Sequence, residues 1–188
     1  DKYWGDVNGF DKCNRAAASM ALSYMGVDVL PKDFRGGSNS VEGTNGDTLL
    51  TEKGVYVEKA KKKTIEEFER MYDRYENDVD GTFSPILIYT NYMSYDKDTK
   101  KPKQSNHWLT VYDRDPEDDG WYCVLDPGFG DYARIRFEED ETGNIYIAEY
   151  QYKRSEKGKW QTSERYGPSI KKEHEFDYSM MKIIQYKK

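Results

Sequence analysis

Cys13-Asn14-Arg15-Ala16-Ala17-Ala18-Ser19-Met20-Ala21-Leu22-Ser23-Tyr24-Met25-Gly26 is the stretch on which the reading of this chain turns. From Cys13 to Met25 it holds no proline, no glycine and no β-branched residue, which favours a helix, and Gly26 is a natural stop just past its end. Ala17, Met20, Ala21 and Tyr24 form one apolar stripe, and Ala18, Leu22 and Met25 form a second beside it. Only Arg15, Ser19 and Ser23 interrupt them, as a polar line spaced by four. A helix so apolar and so small-sided is expected to be buried around most of its circumference. A cysteine stands at its start.

Upstream, residues 1–12 read as an extended lead-in. Downstream, Pro31-Lys32-Asp33-Phe34 reads as one helical turn and the Gly/Ser/Asn-rich stretch 36–47 as a surface loop. Thr64-Ile65-Glu66-Glu67 has capping-box spacing, and Ile65, Phe68, Met71, Tyr72 and Tyr75 continue with helical period to about Asn77. The remainder predicts strands over 55–57, 85–89, 107–112, 121–125, 132–137, 145–152 and 180–186, several with period-two alternation such as Arg134/Ile135/Arg136/Phe137. Residues 113–120 and 141–144 read as hairpin connections, and 92–103 as a loop. Helices first and antiparallel strands afterwards predict an α+β fold.

Composition narrows the field. Leu, Ile, Val and Phe make up roughly 17 % of the 188 residues, below the ~20 % expected of a folded chain. The net charge is only −6, however, and 17 Tyr and 4 Trp supply the missing apolar area. An aromatic-rich folded domain is the outcome. No apolar run approaches the roughly 18 residues of a membrane span. A pI near 5.1 with mixed charges argues against a general nucleic-acid binder. Two cysteines and two histidines leave little from which to build a disulfide scaffold or a structural zinc site. The oligomeric state is not legible. A start at Asp1, without a leader, together with an acidic, Tyr-rich surface, sets the expectation of a secreted or cell-surface protein.

Cys13 is where the chemistry begins. A helix N-terminus presents unpaired N–H groups and roughly half a positive charge, which favours a thiolate and can hold an oxyanion. A nucleophilic cysteine also needs a base and a group to orient that base. His107 begins one predicted strand, and Asp126, before Pro127-Gly128, ends the next. In adjacent antiparallel strands those two side chains meet at one edge of the sheet. A His–Asp hydrogen bond then fixes the imidazole tautomer and leaves the other ring nitrogen for the thiol.

These residues carry a family resemblance. Cys13 with Ala16 to Gly26, then His107-Trp108-Leu109-Thr110-Val111, then Leu125-Asp126-Pro127-Gly128 resembles the peptidase C39-like branch of papain-like cysteine peptidases, over roughly residues 1–130. The resemblance implies a papain-like fold, in which a buried N-terminal helix bearing the cysteine packs on an antiparallel sheet. It also implies cleavage of peptide amide bonds through a thioester, with Cys13 as nucleophile, His107 as base and Asp126 as orienter. Asn14-Arg15 stand where the family has Gly-Pro. Asn8, five residues before the cysteine, is the nearest match to the family's oxyanion glutamine. On this reading 1–188 is one domain with 131–188 a β-rich extension. The substrate is a peptide or protein, and the chemistry calls for no metal or organic cofactor.

Other readings stand beside this one. A transglutaminase-like acyl transferase uses the same Cys, His, Asp order, although the Cys13–His107 gap is long for it. A catalytically weak domain kept as a cell-surface binding module is the alternative from another class. Cys123, mid-strand between Tyr122 and Val124, reads as an inert core thiol, with a Cys13–Cys123 bridge as the competing assignment. His174, between two glutamates, reads as solvated. The acidic loop 113–119 lacks EF-hand spacing and reads as a hairpin loop. Tyr146, Tyr150, Tyr152, Trp160 and Tyr166 read as sheet packing rather than a binding surface.

Overall fold

The computed structural model describes residues 12–35, 40–44, 48–128, 132–168 and 175–188. It is a mixed helix and antiparallel-sheet protein. Helix α1 (Lys12–Tyr24) is followed by short 3-10 turns at Pro31–Asp33 and Ser40–Glu42 and by the single-turn α2 (Leu49–Glu52). Then come β1 (Tyr56–Lys59), α3 (Ile65–Glu76), β2 (Phe83–Tyr95), β3 (Pro102–Arg114), β4 (Trp121–Leu125), β5 (Tyr132–Glu139), β6 (Ile145–Lys153), β7 (Gln161–Thr162) and β8 (Met180–Lys187). The eight strands form one sheet in the order β1-β8-β2-β3-β4-β5-β6-β7.

The two long helices cover opposite faces of this sheet, and alternation along the strands decides which residue meets which helix. Ile86, Ile88, Leu109, Val111 and Ile183 pack in the cluster of α3, with Phe68, Met71 and Tyr72. Their strand neighbours Leu87, Trp108 and Ile184 pack in the cluster of α1, with Ala17, Ala18, Ala21 and Leu22. A strand sandwiched between two helices is apolar on both faces, which is why Ile86-Leu87-Ile88 reads as an unbroken hydrophobic run.

The small side chains of α1 let it sit close to the sheet. Thr110 on β3 donates its hydroxyl to the Ala17 carbonyl at 3.0 Å, a contact that larger residues would hold apart. The helix is buried from Asn14 through Ser19 and again at Ala21 and Leu22, as its composition predicts. Tyr24 departs from the predicted stripe. It is 47 % exposed at the rim, edge-on to Tyr75. Arg15 is buried and donates to the Phe34 carbonyl at 2.6 Å. Two residues along a helix is about 200°, so this cation is carried away from the side of Cys13. Gly26, at φ +72°, ends the helix, and the Val27 amide closes back on the Leu22 carbonyl.

Thr64 caps α3 by accepting from the Glu67 amide at 3.2 Å. The stretch 92–103, read as a loop, is instead half strand. β2 and β3 run as a thirteen-residue hairpin pair, and only 96–101 turn, held by Asp96 accepting from the Asp98 and Thr99 amides. Its lysines and polar residues hid the alternation. The stretch from 131 onward supplies β5 to β8, and β8 returns to lie between β1 and β2 inside the sheet. Both cysteines are free, so the Cys13–Cys123 bridge is not formed. No helix among the described residues is long and apolar enough to cross a membrane.

Candidate active site

Cys13 lies in the first turn of α1, where the leading backbone N–H groups have no partner within the helix. Thr90↔His107 is a register pair of β2 and β3, and Thr110↔Leu125 is one of β3 and β4. That register carries Asp126, just past the end of β4, back to the level of His107. The Asp126 Oδ1 lies 2.6 Å from His107 Nε2. With Nε2 engaged, Nδ1 is the nitrogen left for the hydrogen bond that joins His107 to Cys13. The three predicted residues are therefore brought together in the predicted order. The fourth, Asn8, lies outside the described residues, as does His174.

Electrostatics follow from this contact chain. Burial works to raise the Cys13 thiol, but His107, through its hydrogen bond and charge, and the amides of Trp108 and Asn14 outweigh it. The net shift is downward, in favour of the thiolate. For His107, burial opposes the charged form, yet Asp126 and the Cys13 thiolate raise its pKa to about 9. Asp126 is held below the usual carboxylate range against its own burial, chiefly by His107 and then by Tyr150 and the Gly128 amide. A lowered thiol beside a raised imidazole is the pattern of a thiolate–imidazolium pair.

Each oxygen of Asp126 is occupied. Oδ1 also accepts from the Gly128 amide at 2.8 Å, and Oδ2 accepts from the Tyr150 hydroxyl at 2.7 Å. Gly128 has a further constraint: a Cβ there would stand 3.4 Å from Asp126 Oδ1 and from His107 Nε2. Glycine lets the backbone lie against the pair. Tyr166 stacks on Tyr150 with ring centroids 4.8 Å apart, and on Tyr92 at 5.8 Å, while Tyr92 lies 6.0 Å from the His107 ring. Sequence reasoning placed Tyr150 and Tyr166 in sheet packing and missed the bond to Asp126. Alternation marks Tyr150 as a core residue, but the β5–β6 register that brings it over Asp126 is not local information.

Cys123 takes the other path. It is half-buried on β4, and burial, followed by Asp115 and Asp113, pushes its thiol up to about 11. Among the described residues no group of three or more His, Cys, Asp and Glu is placed to hold a metal ion. No protein-family model matches the chain, and neither a curated protein nor a solved structure matches it.

Proposed function

We propose that this protein is a papain-like thiol hydrolase that cleaves peptide amide bonds. The single observation that supports the reading is the contact chain from Cys13 at a helix start, through His107, to the buried Asp126. The resemblance to the C39-like peptidases supplies the substrate class.

In this reading the Cys13 thiolate attacks the amide carbon, forming a C–S bond and moving the carbonyl electron pair onto oxygen. The N–H groups of the α1 start, that of Cys13 first, hold the oxyanion, with Asn8 proposed as the side-chain donor. The imidazolium of His107 gives its proton to the leaving nitrogen as the C–N bond breaks, and a thioester remains. Neutral His107 next takes a proton from water, and the resulting hydroxide attacks the thioester. The thiolate leaves and the imidazolium is restored. Asp126 holds the ring by Nε2 throughout, so Nδ1 stays on the sulfur side.

A dilute iodoacetamide pulse near pH 6, read by intact mass, tests the first premise. An ordinary thiol is almost wholly protonated there. The reading expects rapid single labelling of the wild type, loss of labelling in Cys13→Ala and slow labelling in His107→Ala. A wild-type protein that stays unlabelled with both thiols free would sink it. A peptide-library digest with the wild type and Cys13→Ala then tests hydrolysis itself.

A further inference from the structure

Beside the Cys13–His107 pair lies a small cavity of about 130 Å³, walled by Tyr92, Tyr150 and Tyr166, with His107 at one side and Arg165 at another. At ~30 Å³ per water this is the space of a few waters, or of one side chain, and not of a drug-sized ligand. Cys13 is not among its walls. On the reading proposed above, His107 delivers the proton to the leaving nitrogen, so a cavity bordered by the imidazole and not by the sulfur lies on the leaving-group side of the scissile bond.

Arg165 gives this cavity its chemistry. Arg70, Arg74, Arg114, Arg134 and Arg136 each lie within reach of a carboxylate. Arg165 is exposed and has no carboxylate partner among the described residues. Its backbone is nonetheless fixed in place. Its carbonyl accepts from the Met93 amide at 2.9 Å, its amide donates to the Ser163 hydroxyl, and the Ser163 amide reaches the Tyr150 carbonyl. The adjacent Glu164 lines a different cavity, with Tyr95 and Pro168. Asp126 also faces the first cavity, but its oxygens are taken up by His107, Gly128 and Tyr150. Arg165 is therefore the one charged residue of its walls that has no ion-pair partner among the described residues. The Tyr92 hydroxyl, which burial raises first, lies within electrostatic reach of Arg165 and of Cys13.

We propose that the cavity between His107 and Arg165 receives a carboxylate on the leaving-group side of the scissile bond. It comes either from the acidic side chain of the residue that follows the bond or from a C-terminal α-carboxylate there. This rests on the hydrolase reading for its orientation, and its test is chosen to be independent of turnover. Cys13→Ala protein is titrated with Glu-Gly amide, Gln-Gly amide, Gly-Gly and Gly-Gly amide, followed by NMR, and the series is repeated with Arg165→Ala added. The expected result is about tenfold tighter binding of one carboxylate-bearing peptide than of its amide counterpart, abolished by Arg165→Ala. Selectivity for Glu-Gly amide assigns the side-chain source, and selectivity for Gly-Gly assigns the chain terminus. Equal binding of carboxylate and amide peptides, or a preference that survives Arg165→Ala, overturns the proposal. Arg165 is exposed, so an unchanged melting temperature shows that the variant remains folded. Selective binding together with an unlabelled Cys13 in the pH 6 pulse would sink the hydrolase reading and leave the carboxylate site standing. A reactive Cys13 without selective binding would do the reverse.

Discussion

Cys13 and Cys123 are the same residue type, both half-buried and both free, yet their thiols are pushed in opposite directions. Burial raises both. What differs is the company. Cys13 has an imidazole and two backbone N–H groups aimed at its sulfur, whereas Cys123 has Asp115 and Asp113. The lesson is that burial alone makes a thiol inert, and only a positive, donor-rich surrounding converts a buried thiol into a nucleophile.

The largest effect tests that contrast outright. Cys13→Ala should lower peptide hydrolysis on the order of 10⁴-fold or more, because no other group can form the thioester. Cys123→Ser should leave the rate within about twofold. At pH 6 a thiol near 11 is thiolate to only about one part in 10⁵, so Cys123 should stay unlabelled in the same pulse that modifies Cys13. Comparable labelling of the two thiols, read by peptide mapping, would erase the distinction between them.

His107→Gln should remove most of the difference in reactivity. Without the imidazolium, burial acts on Cys13 with only the amides to oppose it, so the onset of alkylation should move up in pH and labelling at pH 6 should slow. Hydrolysis should fall on the order of 10²- to 10³-fold, since the leaving nitrogen loses its proton donor. The wild-type pH profiles carry a matching sign. Alkylation should rise as pH climbs through the lowered Cys13 value and stay high, because thiolate persists. On the proposed hydrolase reading, hydrolysis should rise over the same range but fall above about 9, where His107 loses its proton. Parallel profiles with no alkaline fall in hydrolysis would remove His107 from the acid role.

How far this was legible beforehand depends on whether the information is local. α1 was readable because thirteen consecutive residues share one preference, and β4 because Trp121–Leu125 is bounded by an acidic turn and Asp126. Cys13, His107 and Asp126 could be nominated together because a helix start, a strand and a strand end are local features in a known order. Tyr150 could not, because its hydroxyl reaches Asp126 only through the register of β5 on β4 and of β6 on β5. Arg165 was hidden for a related reason. It lies past the two-residue strand β7, which no periodicity announces, and only the bonds of that turn to β2 and β6 bring it beside the site. Nor did the composition of 131–188 disclose that its last strand enters the middle of the sheet.

Tyr150→Phe sharpens the positive side of the comparison. It removes one hydrogen bond to the Asp126 carboxylate and little packing, since the ring remains stacked on Tyr166. A loss of about 1 kcal/mol is expected, seen as a three- to tenfold fall in kcat with KM little changed. The variant should also shift the alkaline limb of the hydrolysis profile, which a merely structural tyrosine would leave in place. An unshifted limb with normal kcat would show that Gly128 and His107 suffice to hold Asp126.

The smallest effect lies on the inert side. Asp113→Asn, in a Cys13→Ala background, removes one of the two carboxylates that raise Cys123. Because Asp113 is exposed, solvent and salt screen most of its charge, and burial is the larger cause. The Cys123 thiol should drop by only a few tenths of a pH unit in an alkylation profile at low salt. The difference between variant and parent should shrink as salt is added. Asp115 is the poorer choice for this experiment, since it also binds Arg134 at 2.9 Å and its loss would disturb a buried cation held between Trp121 and Trp160. A drop of more than one unit with Asp113→Asn would mean that the acidic loop, rather than desolvation, keeps Cys123 quiet. Cys123 and Cys13 would then differ by the sign of the neighbouring charge alone.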